Sequence, residues 1–367
     1  MPSITDLPAK PTQRLIVPDV LRGVAIVAML IAHAVPFLPL APGALRFVMS
    51  NINDLASPLF ALVMGMSAQA TWNASVTVVT TFRQQLIRSV VLVALGVWMT
   101  TWGSWAAIVL AHLGVLLVVG VPLLRLRTSV LAVVAALMLA VSDPLNAWTR
   151  GQEWIPDQPA AIQEIFSWVF LGQSYRLTNL LPFFLLGALL LRHGFRRSPL
   201  VWAMLAIAPA SYLIRPVSEQ LSGVTMQVSG SYADTFHDAG LVFAVYGVTV
   251  VMATVTRRPW SRMIDALFVP FRIWGRLALS LYVAHIGVIA LWNSSQGYPA
   301  ENAYLGWALT VPFMLVLGLL WARYVGPGPL EWMLGLLSGR RKRFGSAVWP
   351  RSAAERSRRQ DVRRLRY

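Results

Sequence analysis

Two residues in the stretch RLIVPDVLRGVAIVAMLIAH, Arg14 to His33, have the types and spacing for chemistry: Arg22 and His33. Eleven residues separate them, about three helical turns, which puts both on one face roughly 16 Å apart along the axis. An ionisable side chain inside an apolar segment is costly and marks a functional site by default. The Arg22 fork suits a phosphate or carboxylate; equally, it could snorkel to an interface or pair with Asp19 three residues earlier. His33 could act as a general base toward a hydroxyl or amine, or be a hydrated interfacial histidine. Asp54, at the start of the second apolar stretch on the same side, is its candidate partner. A carboxylate beside an imidazole fixes the tautomer and raises its basicity.

A second constellation is Ser280, Tyr282 and His285 in WGRLALSLYVAHIGVIALW. Tyr282 and His285 are i,i+3 neighbours and could share one face, as catalytic groups or as a hydrogen-bonded packing cluster. His112 sits in a wholly apolar run and reads as core packing ahead of chemistry. His237, between Asp234 and Asp238, resembles a metal-ligand set but reads better as the capped start of a helix. His193 lies in an Arg-rich loop. With no cysteine in the chain, disulfides, thiolate catalysis and Cys-ligated metals are excluded. No Gly-rich phosphate loop, HExxH or nucleophile elbow is present, and no metal is expected.

The elements that must position these groups are membrane helices. Of 367 residues 56% are hydrophobic and 13% charged, with a mean hydropathy of +0.60, well beyond a soluble protein. The expected fold is all-α and polytopic, with ten spans near 17–38, 55–72, 86–103, 106–124, 129–146, 178–192, 199–215, 239–256, 276–293 and 303–323. With both termini cytoplasmic, the inner connections gather fourteen Lys/Arg before residue 339, against Arg46, Arg150, Arg176 and Arg215 outside. That alternation is what the positive-inside rule demands. Asp19 and Arg22 interrupt the first run, so it reads as a retained helix rather than a signal peptide. Residues 1–16 form a cytoplasmic segment and 17–338 one transmembrane domain. Residues 339–367, with eleven Lys/Arg against Glu355 and Asp361, read as a disordered basic tail or one lying on anionic lipid. No aromatic or motif context supports nucleic-acid binding.

Two outer loops stand out. In 147–177, Ile162, Ile165, Phe166, Val169 and Phe170 recur at helical spacing, which predicts an interfacial amphipathic helix. Residues 217–237 are polar and could cover a site. No internal repeat of the kind that builds many transporters is visible.

Asp19-Val-Leu-Arg22-Gly23, followed by an apolar run to His33, resembles the first-helix signature of the integral-membrane acyltransferase clan. That clan holds the heparan-α-glucosaminide N-acetyltransferase-like proteins and the bacterial membrane O-acyltransferases. Asp54-Leu-Ala-Ser-Pro58-Leu-Phe60, with Gly65 and Ser67, is similar to the second-helix motif of the former. Ser280-Leu-Tyr282-Val-Ala-His285 and Gly328-Pro-Leu-Glu-Trp332 are similar to later motifs. The connection 39–53 lacks the histidine that the animal acetyltransferases place there, which leaves His33 as the base on that side.

The resemblance implies transfer of an acyl group, acetyl foremost, from cytosolic acyl-CoA to a hydroxyl or amine of an extracytoplasmic glycan or lipid-linked sugar. The expected catalytic set is His33, Asp54, Arg22 and His285. Arg22, Arg83, Arg88 and Arg276 are expected to meet the acyl-CoA, and Asp19, Asn53, Ser280 and Tyr282 the acceptor. Expected partners are membrane lipids, the acceptor and, as an option, a second copy of the chain, in a multi-pass inner (plasma) membrane location. The competing reading is a proton-coupled carrier or flippase for a small anion or lipid-linked sugar, with Arg22, His33 and His285 along its path.

Overall fold

The computed structural model describes residues 16–75, 77–223 and 229–339. Arg14, most of the expected N-terminal segment, part of the 217–237 loop and all but the first residue of the basic tail lie outside them. Among the described residues there are helices and no strands. In chain order they are α1 (Ile16–Ala34), α2 (Gly43–Ala74), α3 (Val78–Thr100), α4 (Leu110–Leu123), α5 (Thr128–Arg150) and α6 (Ala160–Phe166), which runs into a π turn at Ser167–Leu171. Then follow α7 (Leu177–His193), α8 (Pro199–Ser222), α9 (Tyr232–Ala253), α10 (Trp260–Arg276), α11 (Ala278–Gln296), α12 (Tyr304–Thr310), α13 (Pro312–Tyr324) and α14 (Pro329–Leu337). The chain is an all-α polytopic membrane protein.

Every expected span is a helix. Eight are long and apolar enough to cross a membrane: α1, α2, α3, α5, α8, α9, α11 and the broken pair α12–α13. The apolar helices α4 and α7 are shorter, 14 and 17 residues. Pro312 at the first position of α13 marks the break in the last span. Two boundaries differ from the sequence reading. The second span begins at Gly43, so α2 has 32 residues, about 48 Å, and Asp54 lies well inside it rather than at its start. The stretch after α9, read as an Arg-rich connection, holds α10. Ile264, Phe268 and Arg272 of α10 are buried while Arg262 and Asp265 are exposed, an i,i+4 stripe that packs on Val20 of α1.

Helix α1 is the centre of the bundle, with Leu21, Ala25, Ile26 and Leu30 fully buried. Its contact with α10 has no room for side chains. A Cβ on Gly23 would lie 1.9 Å from the Phe271 carbonyl oxygen, and one on Gly275 would lie 2.1 Å from that of Asp19. The α2–α7 crossing repeats the device: a Cβ on Gly65 would lie 1.8 Å from the Phe184 carbonyl oxygen, and one on Gly187 would lie 1.9 Å from that of Leu62. Without a hydrophobic drive between helices in lipid, such close backbone packing is what holds them together.

Helix α14 clips the start of α11. The Glu331 carboxyl accepts from the Leu279 N–H at 2.7 Å, from the Ser280 N–H at 3.1 Å and from the Ser280 hydroxyl. Ser280 Oγ in turn accepts from the Leu330 N–H at 3.2 Å. The terminal motif is therefore a helix cap supplied from another helix. Burial raises the Glu331 carboxyl above the usual range, and the hydrogen bonds from Ser280 and Leu279 pull it back only in part. A raised value means that folding favours the proton. The contribution of Glu331 is thus full below the unfolded value and falls as pH climbs through the raised one.

Gly23→Val and Gly65→Val should each cost about 3 kcal/mol, read as earlier thermal unfolding in detergent. Gly43→Ala, where a Cβ would meet nothing within 4 Å, should unfold like wild type. Glu331→Ala should cost about 1–3 kcal/mol by stranding the α11 donors, whereas Glu331→Gln, still an acceptor, should recover most of it.

Candidate active site

The structure joins His33 to His285. Their rings stack, with centroids 5.2 Å apart and planes 15° apart, and His33 Nδ1 lies 2.9 Å from His285 Nε2. Both are buried, His285 completely. Tyr282 closes the group, with its ring 6.2 Å from that of His33 and 5.2 Å from that of His285. The i,i+3 spacing on α11 does put Tyr282 and His285 on one face. The Tyr282 hydroxyl accepts from the Val109 N–H at 3.2 Å, and the Trp105 indole donates to the His33 carbonyl at 3.1 Å. The segment before α4 thus holds both the α1 and α11 sides of the cluster.

The hydrogen bonds order the protons. His285 Nδ1 lies 3.1 Å from the Leu281 carbonyl, which can only accept, so that nitrogen carries the hydrogen. In a neutral ring Nε2 is then bare and accepts from His33 Nδ1–H. His33 Nε2 is left with a lone pair, and it is a buried atom without a hydrogen-bond partner. A buried base with one oriented nitrogen and one free nitrogen is the arrangement general-base or nucleophilic chemistry requires.

Asp54 is not its orienting group, which corrects the sequence reading. Asp54 lies thirteen residues from Ser67, which meets Arg22. It therefore stands about 20 Å along α2, near the level of His33, yet it turns toward α8 and α9. There Arg215 bridges Asp54 at 3.0 Å, Asp234 at 3.1 Å and Glu219 at 3.3 Å. His237 Nε2 lies 3.6 Å from Asp54, and its Nδ1 lies 2.9 Å from the Tyr212 carbonyl. The cap of α9 is Ser231, six residues before His237, so His237 lies inside the helix and not at its expected capped start. Beside this network is a cavity of about 30 Å³, with Arg176, Asn179, Asp234 and Asp238 in its wall, room for one water. Asn53 is exposed and donates to Asp54.

At the other end of α1, Asp19 lies between Arg22 and Arg276, each at 3.4 Å. Arg22 also donates to Ser67 Oγ and the Gly275 carbonyl. Both guanidiniums stand at this end of α1, and their forks are of the kind that meets the oxygens of an anion. The pairing of Arg22 with Asp19 holds at the same time. Arg83, exposed, and Arg88, half-buried, sit on α3. Ser280, expected to meet the acceptor, is bound by Glu331 instead.

Sequence reasoning placed His112 in packing. It lines a cavity of about 680 Å³ between α3, α4 and the α6–π segment, edge-on to Tyr175 at 5.7 Å. The aromatic and helical periodicity of 162–170 was the available signal, but it spoke for the segment and not for what lay beneath it.

Residues 14–184 match the family model described as heparan-alpha-glucosaminide N-acetyltransferase, catalytic. The family whose motifs the first two helices resemble is thus the one whose model these residues match. The match takes in Arg22, His33, Asp54 and His112 and ends before Tyr282, His285 and Glu331. A comparison with curated proteins gave no match.

Nitrogen-15 spectra of histidine-labelled protein should show His33 protonated at Nδ1 and bare at Nε2. His285→Ala should release it to a mixture of tautomers. An Nε2-protonated His33 in the wild type would contradict the proton order above.

Proposed function

We propose that the chain transfers an acyl group, acetyl foremost, from cytosolic acyl-CoA to a hydroxyl or amine on the far side of the inner membrane, and that His33 is the base. The observation that carries this reading is the bare, buried Nε2 of His33, backed by His285. The likeness of residues 14–184 to an acetyltransferase catalytic region supports the reaction class.

In direct transfer, Nε2 takes the proton of the acceptor hydroxyl or amine while that atom attacks the thioester carbonyl. The C–S bond breaks, and the leaving thiolate takes the proton from the imidazolium. The positive charge formed on His33 is shared through Nδ1–H with His285, whose Nδ1–H is fixed on the Leu281 carbonyl. The same lone pair could instead attack the thioester first and form an acyl-histidine. The guanidiniums of Arg22 and Arg276, at the Asp19 end, would meet the donor's phosphates. Because the anion site and the base share α1, donor and acceptor would meet from opposite ends of one helix.

The carrier reading draws on the second charged network, Asp54, Arg215, Asp234 and His237. Proton-dependent uptake into vesicles without any acyl donor would favour it.

With purified protein in nanodiscs and radiolabelled acetyl-CoA, His33→Ala should lower label loss from CoA by about 10²–10⁴-fold. His285→Ala should lower it less, because it orients the base rather than serving as one. Asp54→Asn, outside the histidine pair, should stay within about tenfold of wild type per folded molecule. Near-normal turnover by His33→Ala would sink the mechanism.

A further inference from the structure

We infer that the large cavity under the α6–π segment is the entry site of an amphiphilic acceptor, with a hydroxyl- or amine-bearing head inside and an apolar chain left in the membrane. This rests on the acyl-transfer reading above and narrows its acceptor from any glycan to a lipid-linked one.

The volume, about 680 Å³, lies within the ~300–1,000 Å³ range of ligand sites. Its composition excludes the donor: no Arg or Lys lines it, and its charged residue is Glu164. Phosphates would find no counter-charge there. It does not suit a free polar glycan either, since Val97, Ala107, Ile108, Ala111 and Trp168 form much of the wall. The mouth is mixed. Val97 and Ile165 are exposed apolar side chains, at 47% and 56%, on a membrane helix and on the amphipathic α6. Glu164 and Gln173 lie beside them. A rim half apolar and half polar stands where hydrocarbon gives way to the headgroup layer. Inside, the polar groups are His112, Ser167, Ser174 and Tyr175. Burial pushes the Tyr175 phenol up to about 12, so it remains a hydrogen-bond donor at any working pH.

The cavity also adjoins the histidine pair. Ile108 in its wall is followed by Val109, whose N–H binds the Tyr282 hydroxyl at 3.2 Å, and Tyr175 is within electrostatic reach of Tyr282. Tyr175 lines the cavity, and Tyr282 lies beside His33, with ring centroids 6.2 Å apart. Ser174 and Tyr175 also wall the 30 Å³ polar cavity. A shift of this one segment would open the amphiphile's head to both the charged network and the base.

The test uses the full chain in phosphatidylcholine nanodiscs and a dodecyl β-D-glucoside carrying a photoreactive diazirine in its chain. Labelling should saturate and map to 97–112 and 161–175. Unlabelled dodecyl glucoside should compete, and methyl glucoside should not. Ala107→Trp, which fills the cavity, and Thr100→Trp, at its exposed mouth, should each weaken labelling by about tenfold. Labelling that never saturates, or that neither tryptophan changes, would overturn the proposal and leave bulk lipid as the occupant. Acetyl-CoA consumption with dodecyl glucoside is followed in the same samples. Saturable labelling with no consumption would overturn the acceptor role and the transferase reading while leaving an amphiphile site.

Discussion

A 2.9 Å hydrogen bond between two imidazoles, 252 residues apart in sequence, is the contact the rest of the bundle has to place. A hydrogen bond tolerates a few tenths of an ångström, and a helix rotated by a small angle carries its side chains much further. Rotation and height of both α1 and α11 must therefore be fixed. The glycine contacts do this for α1, because a backbone-to-backbone stop cannot be relaxed by a rotamer change. Gly23 and Gly275 set α1 against α10, and α10 leads directly into α11. The Glu331 carboxyl fixes the first turn of α11 at Leu279 and Ser280, only a turn or two before Tyr282 and His285. The motif residues that look chemical at positions 280 and 331 are thus mechanical, and they serve the pair at a distance.

Charge is kept in separate places, and the separation has a physical reason. A cation beside His33 would disfavour the imidazolium that a general base must become, and an unpaired carboxylate would lock it in that form. The structure surrounds the pair instead with Tyr282, Trp105 and apolar side chains. The acids and arginines gather in two bonded groups, Asp19 with Arg22 and Arg276, and Arg215 with Asp54, Asp234 and Glu219. Each group is multiply bonded, which is the condition for holding charge in a low-dielectric interior.

Most of the fold was legible because membrane spans announce themselves by length and composition: a helix stands at each of the ten expected stretches, and eight of these are long and apolar enough to cross a membrane. Helix α10 escaped because Arg262, Asp265, Arg272 and Arg276 fall within its 17 residues, so a window average stays below that of a membrane span. In the site, Arg22, His33 and the Tyr282–His285 face could be read from type and spacing within one helix. The partner of His33 could not. Sequence gives the height of a residue along its span but not the direction in which that span turns it. Asp54 stands at the expected level and points to α8 and α9. His285 comes from a helix whose neighbours were unknown. Ser280 was misread for a similar reason, since the carboxylate that takes its hydroxyl lies on another helix. His112 looked inert because an apolar run cannot show whether it faces a core or a cavity.

The arrangement constrains how a reaction could cross this membrane protein. The proposed anion site and base are tied to one rigid helix, so their separation of roughly 16 Å is set by eleven helical residues and not by loop conformation. A donor with its phosphates at one end and its reactive carbonyl on a long arm suits such a spacing. On the proposed reading the acceptor would need no passage through the bundle, only lateral access near the His33 end. The α6–π segment is suited to that access. It joins two helices across a long connection, carries an amphipathic face, and ends in the Ser174–Tyr175 wall. On the proposed reading, the rigid parts would fix the donor geometry, while the α6–π segment would control what reaches the histidines.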